Sequence, residues 1–189
     1  MTDPFVQFRQ DLLDSGIQFK ETDYNARGFH LEAILKKDQV RRFAEKAYAH
    51  GFYLVFVAGY HVRPHERENE TSSGLEVVYQ FARHDRLCRV KGQASVPEDM
   101  SLPSICDIYQ GANWHERETR DLFGIVFEGH PNLKPLLLAD EDADFHPLLK
   151  AEDKLKALQE VSWSPVAPKS AKADDKDKTK ASSADEADS

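Results

Sequence analysis

The chain has 189 residues, a formal net charge of −8 and a 40% hydrophobic fraction, enough for one domain with a core and an appendage. A negative balance argues against nucleic acid as the main ligand, because neutralising phosphates needs a basic surface. No stretch approaches the roughly 20 apolar residues that span a bilayer. The two cysteines, Cys88 and Cys106, form no CxxC, which argues against an iron–sulfur cluster or structural zinc held by this chain alone.

The opening MTDPFVQFRQDLL lacks the basic and apolar regions of a signal peptide, so a cytoplasmic location is expected. Asp3-Pro4 has the pattern of an N-cap followed by proline at the first helical position, with Phe5, Phe8 and Leu12 on one face. Gly16 closes that helix, and 17–22 is short and weakly alternating. Phe29, Leu31, Ala33 and Leu35 alternate with polar or outward positions and predict a strand. Asp38 is expected to cap a helix carrying Val40, Phe43, Ala44, Ala47 and Tyr48 at helical spacing, ended by Gly51.

FYLVFVAGYHV at 52–62 is so continuously apolar that it predicts a strand buried on both faces. The polar RPHERENETSSG at 63–74 predicts an exposed loop. Two further strands are expected at 75–82 and 87–96, joined as a hairpin at His84-Asp85. Ser104 and Asp107, at capping-box spacing, suggest a short helix over 104–110. The run of three strands without regular strand–helix alternation predicts an α+β fold. Its sheet, mixed or antiparallel, would have four to five strands with helices mainly on one face. From 164 onward there is no aromatic residue, and five lysines nearly balance six acids, so 164–189 is expected to be a disordered charged tail and the remainder carries −7.

The densest charge lies in WHERETRDLFGIVFEGHP, which holds Glu116, Arg117, Glu118, Arg120 and Asp121 beside an apolar run. Asn113 and Glu116, at N-cap and N3 spacing, would start a helix at Trp114, with Gly124 stopping it. On such a helix Glu116–Arg120 and Arg117–Asp121 are i,i+4 pairs of opposite sign, each stabilising by about 0.2–0.5 kcal/mol, which suits a solvated face. A metal reading starts from His115, Glu118, Asp121, His130 and His146, but HERET is not HExxH and no pair has diagnostic ligand spacing. An acid/base reading needs two carboxylates driven to different pKa values, and Glu116 and Glu118 point to different sides of a helix. A contact surface, in which ion pairs fix register and FGIVF supplies area, is the fourth reading. No GxSxG, GxxxxGK[ST] or GxGxxG motif occurs.

The ordered string Glu116-Arg117-Glu118, Asp121, His130, Lys134 and Leu136-Leu137, within ANWHERETRDLFGIVFEGHPNLKPLL, resembles the signature of the 30 kDa subunit family of respiratory complex I. Relatives of this small peripheral-arm subunit occur in membrane-bound NiFe hydrogenase and formate hydrogenlyase complexes. VVYQFA at 77–82 and PSICDIYQGAN at 103–113 extend the resemblance to about 100 residues. It implies a chain without cofactor, metal or chemistry of its own, in which residues 1–138 form the α+β domain and 139–163 an extended partner-contacting segment.

By the same resemblance the partners are the hydrogenase-like large subunit and the iron–sulfur small subunit of the peripheral arm. These partner subunits would hold the iron–sulfur clusters and the flavin or NiFe centre. Association with the membrane would be peripheral, through the complex, on the cytoplasmic side, and nucleic acid is not expected. The docking residues would be Trp114, Glu116, Arg117, Glu118, Asp121, Phe123, His130, Pro131 and Lys134. The chain departs from the family wording at FHPLLKAED, 145–153, where Phe145 replaces glycine and Leu149 replaces arginine. No counterpart of the family's closing GYxExRYD-like phrase follows, and since shortened members resemble those of hydrogenase-type assemblies, a complex I-like or hydrogenase-type assembly is expected. The alternative is a free-standing acid/base or metal-dependent enzyme using Glu116, Glu118 and His130.

Overall fold

A computed structural model describes residues 3–62 and 72–149. The first helix, α1 (Pro4–Asp14), begins where Asp3 accepts a hydrogen bond from the Phe5 amide at 2.8 Å, with Pro4 in the first turn, and buries Phe8 and Leu12. After β1 (Phe19–Glu21), a four-residue helical turn, α2 (Tyr24–Arg27), is capped by Asp23 and closed by Gly28 at φ 78°. This turn was not expected from the sequence; it is too short to carry a periodic signal. Strand β2 (Leu31–Leu35) leads to α3 (Gln39–Ala49), which buries Val40, Phe43, Ala44 and Ala47 and leaves Tyr48 exposed. Asp38 occupies the N-cap position of α3 without a side-chain cap bond. Phe8 joins α1 to the rest of the core, its ring 6.0 Å from that of Phe43 and 4.8 Å from that of Phe52.

Strands β3 (Tyr53–His61), β4 (Ser72–Ala82) and β5 (Arg89–Pro97) complete a five-stranded sheet in the order β1-β2-β5-β4-β3. Only β2 and β5 run parallel, so the sheet is mixed. Gly59 pairs with Val77, which pairs with Ala94; two residues along, Val57 pairs with Tyr79, which pairs with Gly92. Both glycines therefore face the same side. A Cβ at Gly92 would come within 2.7 Å of the Phe43 ring of α3, so the glycine lets that helix seat directly on the sheet. The helices lie on one face, and the fold is α+β. On the opposite face Glu32 is held between Lys20 and Lys91, at 3.0 and 2.8 Å.

Three expectations need correction. The apolar run at 52–62 forms the edge strand β3, not a doubly buried one: Val57 is its one fully buried residue, and Tyr53, Val55 and Tyr60 stay partly exposed. A single β-bulge between Leu54 and Phe56 shifts its register against β4. The short helix expected over 104–110 is a turn, with the Ile108 and Tyr109 amides both donating to the Ile105 carbonyl. Strand β4 begins at Ser72, inside the segment expected to be loop. The rest of that loop, the sequence from 150 to 163 and the expected disordered tail lie outside the described residues.

The chain continues through β6 (Ser101–Pro103), the helix α4 (Ala112–Phe123) and β7 (Val126–Glu128). Strands β6 and β7 pair in parallel as a small second sheet. Helix α4 packs beneath edge strand β3, and Gly59 allows the approach, since a Cβ there would lie 2.9 Å from both Phe123 and Thr119.

Candidate functional site

Helix α4 carries the charged string. Ala112, Glu116, Thr119 and Phe123 recur at spacings of four, three and four, and all four are buried. The helix begins two residues before the position expected from Asn113: Gly111 is its N-cap, and no side chain caps it. Gly124, at φ 76°, ends it as expected, its amide donating to the Arg120 carbonyl at 2.8 Å.

The predicted ion pairs Glu116–Arg120 and Arg117–Asp121 do not form among the described residues. Both acids turn inward instead, because backbone amides there need acceptors. Glu116, 0% exposed, accepts from the Ile105 amide at 2.8 Å through Oε1, and from Ser104 Oγ at 2.6 Å and Cys106 Sγ at 3.2 Å through Oε2. Its carboxylate therefore pins the turn after β6 onto α4. Burial raises its pKa, and these donors only partly offset the effect. Burial likewise pushes the Cys106 thiol up to about 12.

One turn further on, Asp121 is also fully buried. Its Oδ2 accepts from the amides of Leu136, Leu137 and Leu138 at 2.7, 2.8 and 3.3 Å, and Oδ1 from Arg120 at 3.3 Å. Burial alone would raise the pKa of Asp121, but the three amides and Arg120 outweigh it and hold the group below its ordinary value.

These bonds belong to a longer series that lays residues 130–149 along α4 as a strap. His130 Nδ1 accepts from the Asn132 amide at 3.0 Å, which leaves Nε2–H to donate to the Asn113 carbonyl at 3.2 Å. Arg117 donates to the carbonyls of Lys134 and Pro135 at 3.0 and 2.7 Å. Past the 3-10 turn Asp140–Asp142, the His146 ring reaches the Asp121 carbonyl at 3.0 Å. The Leu148 amide donates to the Leu122 carbonyl at 3.0 Å.

The sequence-predicted docking residues thus fall into two groups. Glu116, Asp121 and Phe123 are buried, and Arg117 and His130 are half-buried with their polar atoms engaged by the chain itself. Trp114, 68% exposed, faces outward together with Glu118, Pro131 and Lys134. The strap adds exposed apolar side chains that sequence reasoning missed, chiefly Leu137 (60%) and Phe145 (71%), with Leu148 and Leu149 beyond. Their signal was available only as an excess of leucine and phenylalanine in a segment without helical or strand period.

The five metal candidates His115, Glu118, Asp121, His130 and His146 are not brought together among the described residues. A different trio is: the donor atoms of Cys106, Glu116 and His130 all lie within 4.8 Å of one another. Among the described residues no helix is long and apolar enough to cross a membrane.

A family model described as the respiratory-chain NADH dehydrogenase 30 Kd subunit matches residues 33–156. The chain is 44% identical over 76 residues to an NADH-quinone oxidoreductase subunit of Xanthobacter autotrophicus, a stretch covering 40% of this chain and 36% of that one. It is 48% identical over 78 residues to the mitochondrial NADH dehydrogenase (ubiquinone) iron-sulfur protein 3 of Candida albicans, covering 40% and 27%. The match therefore spans about a third of the length of these curated relatives.

Among solved structures, a trypsin-resistant fragment of Nqo5 superposes with a TM-score of 0.58 at 26% identity, covering 69% of this chain and 100% of the fragment. A chain of the membrane-bound sulfane sulfur reductase, an archaeal respiratory membrane complex, shares the fold with a TM-score of 0.62 at 22% identity, over 85% and 95%. With well over half of its residues matched by the family model, the chain belongs to the family of the 30 kDa subunit of respiratory-chain NADH dehydrogenase.

Proposed function

We propose that this chain is a non-catalytic structural subunit of the hydrophilic arm of a complex I-like, membrane-bound oxidoreductase. It docks against the hydrogenase-like large subunit, next to the iron–sulfur small subunit, and supports electron transfer coupled to ion translocation. The iron–sulfur clusters, and the flavin or NiFe centre, belong to those partners, and the chain associates peripherally with the cytoplasmic face of the membrane.

The observation that carries this reading is the pairing of a rigid inner side with an apolar outer side along α4. Arg117, Asp121 and His130 fix the strap, which holds Leu137 and Phe145 exposed alongside Trp114. Large apolar side chains held in solvent by a hydrogen-bonded frame fit a partner surface better than a free one. A free-standing acid/base enzyme fits less well, because Glu116 is fully buried and closed in by three donors, and no second carboxylate pairs with it among the described residues.

Affinity purification of the tagged chain from gently solubilised native membranes tests the proposal. Co-purification of a large polypeptide with two CxxC pairs supports a hydrogenase-type complex, and flavin- and NADH-binding partners support complex I. Recovery of the chain alone would refute the docking role.

A further inference from the structure

We propose that Cys106, Glu116 and His130 form a binding site for one divalent ion of the zinc class. The three residues come from separate pieces of the fold: the turn after β6, the inner face of α4 and the start of the strap. Their donor atoms nonetheless converge within 4.8 Å. A thiol, a carboxyl and an imidazole are the ligand types that zinc takes, at about 2.3 Å for sulfur and about 2.0–2.2 Å for nitrogen and oxygen. A tetrahedral ion at those lengths separates its ligand atoms by roughly 3.3–3.8 Å. Cys106 Sγ and Glu116 Oε2 are already 3.2 Å apart.

The surroundings lack the cation that a buried acid normally has. Glu116 is fully buried, and no lysine or arginine pairs with it among the described residues. A second buried polar atom is also left over. The Tyr79 hydroxyl, on the inward face of β4, has no hydrogen-bond partner among the described residues, and burial first, then the negative charge of Glu116, opposes its ionisation. A dication bound by one thiolate and one carboxylate would leave the pocket electrically neutral.

Binding proceeds by exchange, without redox chemistry. The Cys106 S–H bond breaks, its proton leaves to solvent, and the sulfur that donated to Glu116 Oε2 becomes a ligand beside it. Any proton on Glu116 leaves in the same way. Ser104 keeps its bond to Oε2, and Ile105 keeps its bond to Oε1. His130 must move by roughly an ångström to reach the ligand separation set by the bond lengths. Its ring is half-buried; the nitrogen that ligates gives up its present bond, from the Asn132 amide at Nδ1 or to the Asn113 carbonyl at Nε2, and the one ring proton resides on the other nitrogen. Three protein ligands leave a fourth position for water.

The test is titration of the untagged full-length chain with Co²⁺, followed by competition with Zn²⁺. The expected result is one Co²⁺ per chain, with a thiolate-to-cobalt charge-transfer absorption that Zn²⁺ abolishes. Cys106→Ser removes that band and Cys88→Ser keeps it. His130→Gln, compared at unchanged circular dichroism because His130 also helps to hold the strap, weakens binding by at least about tenfold, the least effect seen even for outer-shell partners of metal ligands. A folded chain that shows no thiolate band, or a band that survives Cys106→Ser, would overturn the proposal. Neither result bears on the docking role, which does not depend on a metal.

Discussion

Replacing Asp121 with alanine isolates the contact that holds the middle of the strap. The carboxylate accepts from three consecutive amides, Leu136, Leu137 and Leu138, so the substitution removes three charge-assisted bonds in one change. Hydrogen bonds to charged groups contribute about 1.5–3 kcal/mol each, but these donors lie on a partly exposed segment where water replaces the lost acceptor. The 3.3 Å bond to Leu138 is also the weakest of the three. A net loss of about 3 kcal/mol follows, equivalent to roughly a hundredfold change in the local opening equilibrium.

Because the strap lies outside the five-stranded sheet, the loss should appear as local opening before it appears as global unfolding. Native-state hydrogen exchange reads it directly. In the Asp121→Ala chain, the amides of Leu136 and Leu137 should exchange about a hundredfold faster, while those of β4 and β5 change little. Asp121→Asn, which keeps an acceptor oxygen but loses the charge, should fall between the two. Unchanged protection at 136–138 would refute the argument that this carboxylate organises the strap.

Asp121 also predicts a pH dependence. Its folded pKa lies below the ordinary 3.8, so its contribution is complete above that value and disappears as the pH falls through the lower folded one. Exchange at 136–138 should accelerate only in acid, and acceleration on raising the pH from 5 to 8 under base-corrected rates would contradict the sign. Gly92→Ala should lower stability by about 1–3 kcal/mol in urea unfolding, because its Cβ would press on Phe43 and Leu35 in the closely packed core. Phe145→Ala and Trp114→Ala should leave stability within about 0.5 kcal/mol. Both substitutions should nonetheless reduce the yield of assembled complex in native gels, and normal yields from the double variant would count against the outer surface.

The elements with a strong period were legible. Helices α1 and α3 and strand β2 follow from Asp3-Pro4, from the Val40–Phe43–Ala44–Ala47 stripe and from the alternation through Leu31, Ala33 and Leu35. Strand β3 was placed correctly but its burial was overestimated, because continuous apolar character marks a doubly buried strand only when both faces are covered. Here Phe56, Ala58 and Tyr60 look out from the side without helices. The small β6–β7 sheet pairs three-residue segments separated by a helix, too short for any pattern to show.

The charged helix was legible in place but not in orientation. The i,i+4 spacing offered Glu116–Arg120 and Arg117–Asp121 as surface pairs. The stronger signal was the stripe Ala112, Glu116, Thr119 and Phe123, which puts Glu116 at the centre of the buried face. Asp121 Oδ2 and Glu116 Oε1 bind backbone amides 11 to 17 residues away, and nothing in residue type marks an amide as needing an acceptor.

The most direct test of the docking role is site-specific photo-crosslinking in native cells, with the photoreactive residue placed at Phe145, at Trp114 or at Ile34. The first two stand on the strap and α4, and Ile34 stands exposed on the opposite face of the sheet. Adducts from Phe145 and Trp114 to a single large partner polypeptide, and none from Ile34, are the predicted result. Adducts from Ile34 alone, or none from Phe145 and Trp114 in cells where the chain is incorporated into its complex, would contradict it.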